Sequence, residues 1–386
     1  MTNAYSTVLT LAPIWRTALR RTFSIAAVTA IAVSASVMGW TQSAQAQTSA
    51  VEAAKLRAEK LMNAKIEWHG PTSALKPIAG KRLAVISCCQ AAEGAARPAR
   101  GIVEAGKLLG WKVDIFDGKG DPMEQNKALN AAVDSKYDGI ALIYIDTPVV
   151  SEGVARALSA KIPLITMGAM KNTPESIPDI SHDFVGIGRA IADYMIWKSN
   201  GKVNALLLKN TDLKIVIDGQ YKGTFEGLND KKQCPDCKVV AKDWSLANLD
   251  TQPAALASAA LQADPNINWV WCFDACMARV SRTMVASGLG TKVKGAGFDC
   301  NAENVQLIKD GQVQTVCAAD PREWASYGMV DNLNRMMQGK PAVAQNIPVR
   351  MFDKSTIGAL SESEVKNGWQ GDFDFRAKYK SLWAVK

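Results

Sequence analysis

The sequence contains very little histidine, and it lacks the short motifs that mark common catalytic centres. Its two histidines, His69 and His182, stand far apart, and there is no H-E-x-x-H zinc motif. A G-x-S-x-G nucleophile elbow and a Walker phosphate loop are also missing. Gly186-Ile187-Gly188 lies inside a helical pattern instead of opening a helix after a strand, so it is not a dinucleotide-binding fingerprint. The sequence therefore predicts no metal, no cofactor, no catalytic residues and no enzymatic activity.

Clusters of positive charge are scarce as well. The formal net charge of +8 is small for 386 residues, and no patch of lysine and arginine is interleaved with aromatic residues. Such a patch is the usual footprint of a nucleic-acid-binding protein, so we predict no nucleic-acid partner. Hydrophobic residues make up 48% of the chain and charged residues 21%, which is typical of a folded globular protein. The length allows two domains of ordinary size.

The N-terminal segment has the pattern of an export signal. Arg16, Arg20 and Arg21 precede an apolar run over residues 22–40, and Ala44-Gln45-Ala46 is an A-x-A cleavage site. We predict a signal peptide over residues 1–46 that is cleaved, and a periplasmic mature protein. The cleavage site argues against an uncleaved membrane anchor. Because the paired arginines match only part of a twin-arginine signal, both the Sec and the twin-arginine routes stay open.

All eight cysteines follow the predicted cleavage site, and an even number in an exported protein suggests disulfides. Cys234 and Cys237 fall in a polar loop after a helix. A redox-active C-x-x-C motif would open a helix after a strand, so we predict a structural disulfide here. Cys300 lies just past one strand and Cys317 at the end of the next, which makes a bridge between them plausible.

The other four cysteines give weaker indications. Cys272 and Cys276 stand four positions apart across a strand–helix junction. Cys88 and Cys89 are adjacent at the end of the first strand, and adjacent cysteines bridge poorly. We therefore expect a free or buried thiol at that position.

Short apolar strands alternate with helical patterns of about ten to fifteen residues, which indicates βαβ units and parallel sheets. One such series covers residues 82–167 and a second begins near Phe184. The turn-rich stretch 171–182 divides them. The sequence thus predicts an α/β fold with two Rossmann-like lobes, each with its own sheet. An amphipathic helix and a connector precede them, and a C-terminal tail with several aromatic residues, which we expect to pack on one lobe, follows.

Polar and aromatic side chains follow many of the predicted strands. Ligands of open α/β sheets bind at the carboxyl ends of the strands, where such side chains meet. Carboxylates and amides can bind hydroxyl groups in pairs, and an aromatic face can stack on a sugar ring. The candidate ligand-binding residues at this edge are Cys89, Gln90, Asp146, Gly168, Trp244, Phe273, Asp274, Asp299 and Asp320.

Several strings resemble the type I periplasmic binding proteins, and more narrowly the ribose-binding-protein-like receptors of sugar ABC importers. They include Phe273-Asp274-Ala275-Cys276-Met277-Ala278, Gly297-Phe298-Asp299 and Tyr137-Asp138-Gly139-Ile140. The resemblance covers about residues 81–355. It implies two lobes joined by a three-strand hinge, with a cleft that closes on the ligand. On this basis we predict lobe 1 over residues 81–181 and 319–343, and lobe 2 over 183–317 and 346–355. Residues 47–80 and 356–386 are then the N-terminal helix with its connector and the C-terminal tail.

The resemblance also assigns site residues. Asp299 and Trp244 match an acidic and an aromatic cleft position of the family, and Gln220 stands where ribose receptors have an arginine. A second family arginine follows the fourth strand, where this chain has Gly168 and Ala169. Without these two arginines, the ligand is expected to differ from ribose and to be bulkier or less polar.

The resemblance implies a monomeric receptor that binds a carbohydrate-like small molecule and delivers it to the membrane permease of an ABC transporter. Three alternatives stay open. The chain could present its ligand to a sensor kinase or chemoreceptor, or it could bind a non-sugar aromatic solute. An exported enzyme that modifies thiols or sugars through the cysteines is the third alternative.

Overall fold

The computed structural model describes residues 47–169 and 173–386. The predicted signal peptide, residues 1–46, lies outside the described residues. Within those two ranges, every helix is too short or too polar to cross a membrane. From Ala50 to Lys386 the chain forms one compact unit, in which two sheets of mostly parallel strands alternate with helices.

The first sheet has the strand order β2-β1-β3-β4-β5, and all of its strands are parallel. Its strands are β1 (Arg82–Ser87), β2 (Lys112–Asp117), β3 (Gly139–Ile143), β4 (Leu164–Met167) and β5 (Asp179–Ile180). Its helices are α2 (Glu93–Leu108), α3 (Pro122–Asp134), α4 (Ser151–Ser159) and, from much later in the chain, α10 (Arg322–Met337). We call this sheet and these helices lobe 1. The central strand β3 is entirely buried, as expected for an apolar strand covered on both faces.

The second sheet has the order β11-β10-β9-β8-β6-β7, in which β11 is antiparallel to β10 and the other pairs are parallel. Its strands are β6 (Asn204–Asn210), β7 (Lys238–Trp244), β8 (Trp269–Trp271), β9 (Lys294–Phe298), β10 (Gln314–Ala319) and β11 (Arg350–Asp353). Its helices are α5 (Phe184–Lys198), α6 (Lys222–Asn229), α7 (Gln252–Ala263), α8 (Asp274–Ala286) and α9 (Ala302–Asp310). These elements form lobe 2. The predicted α/β fold with two sheets is confirmed.

The chain passes from one lobe to the other between β5 and α5, between β10 and α10, and between α10 and β11. At the first passage Asp183 caps α5, because its carboxylate accepts a hydrogen bond of 2.8 Å from the backbone N of Gly186. The second passage is the short step from Ala319 through Asp320 and Pro321 into α10. The carboxyl ends of both sheets lie beside these passages.

The N-terminal helix and its connector contact different lobes. Helix α1 covers residues 47–62, and its Arg57 Nε donates to Asp193 Oδ2 of α5 over 2.8 Å. The connector then reaches lobe 1, where Trp68 stacks on Trp324 of α10 with ring centroids 5.2 Å apart. This N-terminal segment therefore links the two lobes from outside the hinge.

The C-terminal tail also contacts both lobes, although the sequence predicted packing on one. After α11 (Glu362–Asn367), Trp369 packs on Phe352 of lobe 2 with centroids 5.6 Å apart. Helix α12 (Phe375–Trp383) then lies on α10 of lobe 1, where Trp383 stacks on Tyr327 at 5.6 Å. The Nε1 of Trp383 donates to Asp331 Oδ1 over 3.0 Å, which fixes the end of the tail.

Two short stretches have local structure that the sequence pattern does not show. The turn-rich stretch that divides the lobes contains the two-residue strand β5, and beside it Pro178 O accepts a hydrogen bond from Thr166 N of β4. A π-helical segment, Ile215–Tyr221, leads into α6. Such segments are common at functional sites, and this one borders the cleft described below.

In the structure Cys234 pairs with Cys237 and Cys300 with Cys317, the two pairs that the sequence suggested, and Cys272–Cys276 is a third disulfide. The expectation of a thiol at Cys88 and Cys89 was wrong, because these adjacent residues form a fourth disulfide. Hydrogen bonds fix the turn that follows β1: Cys88 N donates to Ile143 O, and Gly120 N donates to Cys88 O. The backbone of Cys88 is therefore held between two neighbouring strand ends.

Candidate functional site

A cleft lies between the carboxyl ends of the two sheets, and its walls come from both lobes. One part, which we call the apolar chamber, has a cavity volume of about 40 Å³. Lobe 1 contributes residues that follow β1 and β3, and lobe 2 contributes residues from the π-helical segment and from the ends of β8 and β9. Its apolar lining is Cys88, Cys89, Ala92, Ala95, Leu213, Ile215, Val216 and Phe273. The groups with polar side-chain atoms are Tyr144, Gln220, Asp299 and Arg322.

The second part, the polar chamber, has a cavity volume of about 240 Å³ and shares Tyr144, Leu213 and Ile215 with the first. Its polar side chains are Gln125, Asp146, Thr211, Asp212 and Lys214. The shared residues form a waist between the two chambers. Gly168 is required at this waist, because a Cβ there would lie 2.5 Å from the Tyr144 ring and 2.8 Å from Ile215.

Arg322, the first residue of α10, places a buried positive charge in the cleft. Its guanidinium donates to a carboxylate oxygen of Asp299, to the hydroxyl of Tyr144, and to Gly94 O over 2.6 Å. Its Nε lies 3.3 Å from Asp320 Oδ1. Because Asp299 extends from lobe 2 and Arg322 begins a lobe 1 helix, this ion pair connects the two lobes at the cleft.

The backbone turns sharply to present Asp299. Asp299 and Cys300 have φ values of 103° and 49°, in the left-handed region that ordinary residues rarely adopt. The Cys300–Cys317 disulfide ties this turn to β10. The carboxylate then reaches the first turn of α2, where a Cβ on Gly94 would lie 2.5 Å from Asp299 Oδ2. Glycine at position 94 therefore makes room for the contact between the lobes.

The two carboxylates beside Arg322 respond differently to their surroundings. Burial raises the pKa of Asp299 to about 6, although Arg322 opposes this effect. Burial also acts to raise the pKa of Asp320, but Arg322 and His182 outweigh it, and the pKa is lowered. His182 Nε2 lies 3.7 Å from Asp320 Oδ2, and burial lowers the pKa of this histidine. Asp320 is thus the more firmly ionised partner.

The structure brings six of the predicted site residues to the cleft. Cys89, Gln220, Phe273 and Asp299 line the apolar chamber, while Asp146 and Gly168 line the polar chamber. The Oε1 atom of Gln220 is buried and, within the described part of the chain, has no hydrogen-bond partner. It is therefore a candidate acceptor for a ligand hydroxyl.

Four other candidates lie outside the lining of either chamber. Trp244 is buried beneath Phe273, with ring centroids 5.3 Å apart, and its Nε1 donates to Leu208 O over 3.1 Å. Trp244 therefore supports the cleft wall instead of stacking on a ligand directly. The backbone N of Gln90 donates to Asp117 Oδ1 over 2.9 Å.

Asp274 and Asp320 are the remaining two, and both have partners within the protein. Asp274 is fully buried in lobe 2, where it accepts from Gln314 Nε2 over 2.7 Å and from Asn301 N over 3.0 Å. Asp320 lies behind Arg322 at the second passage between the lobes. A direct ligand contact by either residue is not supported by these positions.

Arg322 is not among the predicted site residues. The family's cleft arginines are absent from their usual positions in this chain, whereas the structure places an arginine in the cleft from a different element. The available signal was its place in Asp320-Pro321-Arg322, as the first residue of a helix after a predicted hinge. Helix starts at the carboxyl edge of a sheet lie in the region where ligands bind, so Arg322 was a candidate for the site.

The chain matches a family model over residues 84–341, and the family is described as a periplasmic binding protein domain. The chain belongs to this family. The match covers most of both lobes and includes the first two passages between them. It makes this protein a solute-binding protein by descent, and the family is not one of enzymes. No protein with a curated description matches the chain in sequence.

Solved structures of similar fold agree with this assignment. A sugar ABC transporter protein from Yersinia enterocolitica has a TM-score of 0.68 and 20% identity, with 81% of this chain and 99% of that chain covered. A myo-inositol binding protein from Caulobacter, bound to myo-inositol, has a TM-score of 0.66 and 17% identity, with 74% and 98% covered. An ABC transporter solute binding protein from Agrobacterium vitis, with bound allitol, has a TM-score of 0.65 and 18% identity, with 72% and 97% covered.

Proposed function

We propose that this periplasmic binding protein is the receptor of an ABC importer and that it binds a carbohydrate-like solute between its lobes. The observation that carries the proposal is the cleft, because residues from the carboxyl ends of both sheets line it together. A ligand that contacts both walls favours the closed arrangement of the lobes by its differential affinity for that state. Similar folds that bind myo-inositol and allitol support a polyhydroxylated ligand.

The residues of the cleft have distinct roles in this proposal. Asp146 and Gln125 supply oxygen and nitrogen atoms that bind hydroxyl groups in the polar chamber. Gln220 Oε1 accepts from a hydroxyl near the waist. The pair of Asp299 and Arg322 keeps the lobes close when the ligand is present, since it joins them at the cleft. Hinge motion at the passages between the lobes then admits and releases the solute.

The proposal extends to export and partners. The segment 1–46 is removed as a signal peptide, by the Sec or the twin-arginine route, and the mature protein acts as a monomer in the periplasm. Its macromolecular partner is the membrane permease. An enzyme that uses a reactive thiol is not favoured, because all eight cysteines form disulfides.

A thermal-shift screen over pentoses, hexoses, inositols and linear polyols tests the receptor function. A solute that binds only the folded state raises Tm in proportion to the logarithm of its concentration. We expect at least one carbohydrate-like compound to do so, and we expect Gln220→Ala to weaken the shift. Asp243→Asn is the control, since this carboxylate lies near the end of β7 but is exposed and outside the lining of the cleft. A flat response to every compound contradicts the proposal.

A further inference from the structure

Lobe 2 carries a second pocket at the edge of its sheet that is opposite the cleft. It lies where β8, β9 and β10 begin and where the antiparallel strand β11 ends. Its cavity volume is about 590 Å³, within the range of about 300–1,000 Å³ that is typical of small-molecule sites. Its charged lining residues are Lys198, Lys294, Lys354 and Asp353, and we call it the lysine pocket. Every element around it belongs to lobe 2, so hinge motion leaves it intact.

Asp353 is the carboxylate of this pocket, and lobe 2 already supplies its hydrogen bonds. It accepts from the Tyr194 hydroxyl over 3.0 Å and from Ser355 N over 2.8 Å. Lys198 Nζ lies 3.5 Å from its Oδ2 atom. Burial acts to raise the pKa of Asp353, but the hydrogen bonds from Ser355 and Tyr194 outweigh it, and the pKa is lowered. Asp353 is therefore ionised at neutral pH and balances one of the three lysines.

The other two ammonium groups have no carboxylate partner within residues 47–169 and 173–386. Lys294 Nζ donates to Lys198 O over 3.2 Å and lies 5.5 Å from the ring centroid of Trp269. Lys354 Nζ lies beside Gly311, where a Cβ would come within 2.8 Å of it. None of these neighbours carries a full negative charge. Two positive charges thus face one cavity without a counter-charge, and an anion that enters it would relieve their repulsion.

The kind of cation in the lining indicates the kind of anion. Among the described residues, the lining contains lysines and no arginine. Arginine recognises a planar carboxylate through its fork of two parallel N–H groups, whereas lysine acts as a point charge that suits phosphate. A phosphate group has three strong acceptor oxygens and can bind ammonium groups on different sides. The lining therefore favours a phosphate group over a carboxylate.

We propose that the lysine pocket binds a phosphate-bearing anion, whose oxygens accept hydrogen bonds from Lys294 and Lys354. The cavity is larger than a phosphate group, and it leaves room for an organic part that is attached to the phosphate. The same chemistry occurs in a soluble phosphate ester and in the headgroup of an anionic phospholipid. This site is separate from the solute cleft, so the inference goes beyond the proposed receptor function.

Calorimetric titration of the mature protein with glycerol 3-phosphate and with inorganic pyrophosphate tests for a soluble ligand. Glycerol and sodium chloride at equal ionic strength are the blanks. If the ligand is soluble, Lys294→Gln with Lys354→Gln should raise Kd about tenfold or more, because two charge-assisted hydrogen bonds are lost. The matched control is Lys112→Gln with Lys127→Gln, which removes the same charge from exposed lysines of lobe 1 and should change Kd less than about twofold.

Co-sedimentation with vesicles tests for a lipid headgroup. Phosphatidylglycerol vesicles are compared with phosphatidylcholine vesicles for the wild type and for the two double variants, after circular dichroism shows that all three are folded. Binding that the pocket variant loses and the control variant keeps supports the proposal, and the experiment in which it occurs identifies the source of the phosphate.

Two results would overturn the proposal. One is the absence of binding both to the soluble phosphates at millimolar concentration and to the phosphatidylglycerol vesicles. The other is binding that the pocket variant retains or that both double variants weaken equally. Because the lysine pocket lies at the other edge of the sheet from the cleft, neither result bears on the proposed receptor function.

Discussion

Asp274 and Asp299 follow neighbouring strands of the same lobe, yet their carboxylates serve different parts of the molecule. Asp274 begins α8 and is fully buried, where it binds Gln314 and the backbone of Asn301. Asp299 sits in a left-handed turn and is 6% exposed. It reaches out of lobe 2 to the N-terminal turn of α2 in lobe 1.

The two aspartates show that the end of a strand determines where a residue lies but not where its side chain points. Its position along the chain places a residue at the edge of the sheet where ligands bind. The backbone conformation just after the strand then decides whether the side chain points into the cleft or back into its own lobe. Asp274 supports lobe 2, whereas Asp299 with Arg322 forms the connection between lobes.

Replacing the partner of Asp299 should have the largest effect. Arg322→Met leaves Asp299 and Asp320 buried without their main counter-charge, so we expect a loss of about 4 kcal/mol in the free energy of unfolding. Urea denaturation measures this loss. Arg279→Met is the control, because Arg279 pairs with the exposed Asp250 and should cost less than about 1 kcal/mol. Equal effects of the two variants contradict the role given to Arg322.

Removal of the Asp274 carboxylate, which points into lobe 2, should have the second-largest effect on the free energy of unfolding. Asp274→Ala leaves Gln314 and the backbone N of Asn301 without an acceptor in a buried site, which should cost about 3 kcal/mol in urea denaturation. Asp250→Ala removes an exposed aspartate and should change stability by less than about 0.5 kcal/mol. A loss as small as that of the control would show that Asp274 does not support lobe 2.

The Asp299 carboxylate, which points out of lobe 2, should have a smaller effect on the free energy of unfolding, and this effect should depend on pH. Burial raises the pKa of Asp299 to about 6, so the folded protein holds this proton where the unfolded chain has released it. The resulting stability is complete below the ordinary aspartate pKa and is lost as the pH rises to about 6. Between the ordinary aspartate pKa and about pH 6, the free energy of unfolding of the wild type should therefore fall by at most about 3 kcal/mol relative to that of Asp299→Asn. If the difference in free energy of unfolding between the wild type and Asp299→Asn does not change with pH, or shifts in favour of the wild type as the pH rises, this account of Asp299 is contradicted. Asp243→Asn serves as the exposed control.

Much of the fold could be predicted from local patterns. The alternation of apolar strands and helices indicated two α/β lobes. The Cys234–Cys237 disulfide could be predicted because the two residues lie in one short loop. These features depend on residues that are close in sequence.

The features that were missed depend on contacts between distant residues. Arg322 enters the cleft because α10 returns to lobe 1 after a strand of lobe 2, which no local pattern shows. Strand β5 is too short for a periodic signal. The terminal segments bridge the lobes through pairs such as Trp68 with Trp324, far apart in the chain. For the cleft, the sequence named six of the lining residues but could not separate the two aspartates.

The most direct test of the central claim measures the affinity of the solute identified in the screen for two variants, Asp299→Asn and Asp274→Asn. Both are titrated by calorimetry at a temperature where circular dichroism shows them to be folded. Because Asp299 borders the cleft and Asp274 does not, Asp299→Asn should raise Kd about tenfold or more while Asp274→Asn changes it less than about twofold. A larger increase in Kd for Asp274→Asn than for Asp299→Asn would contradict the account.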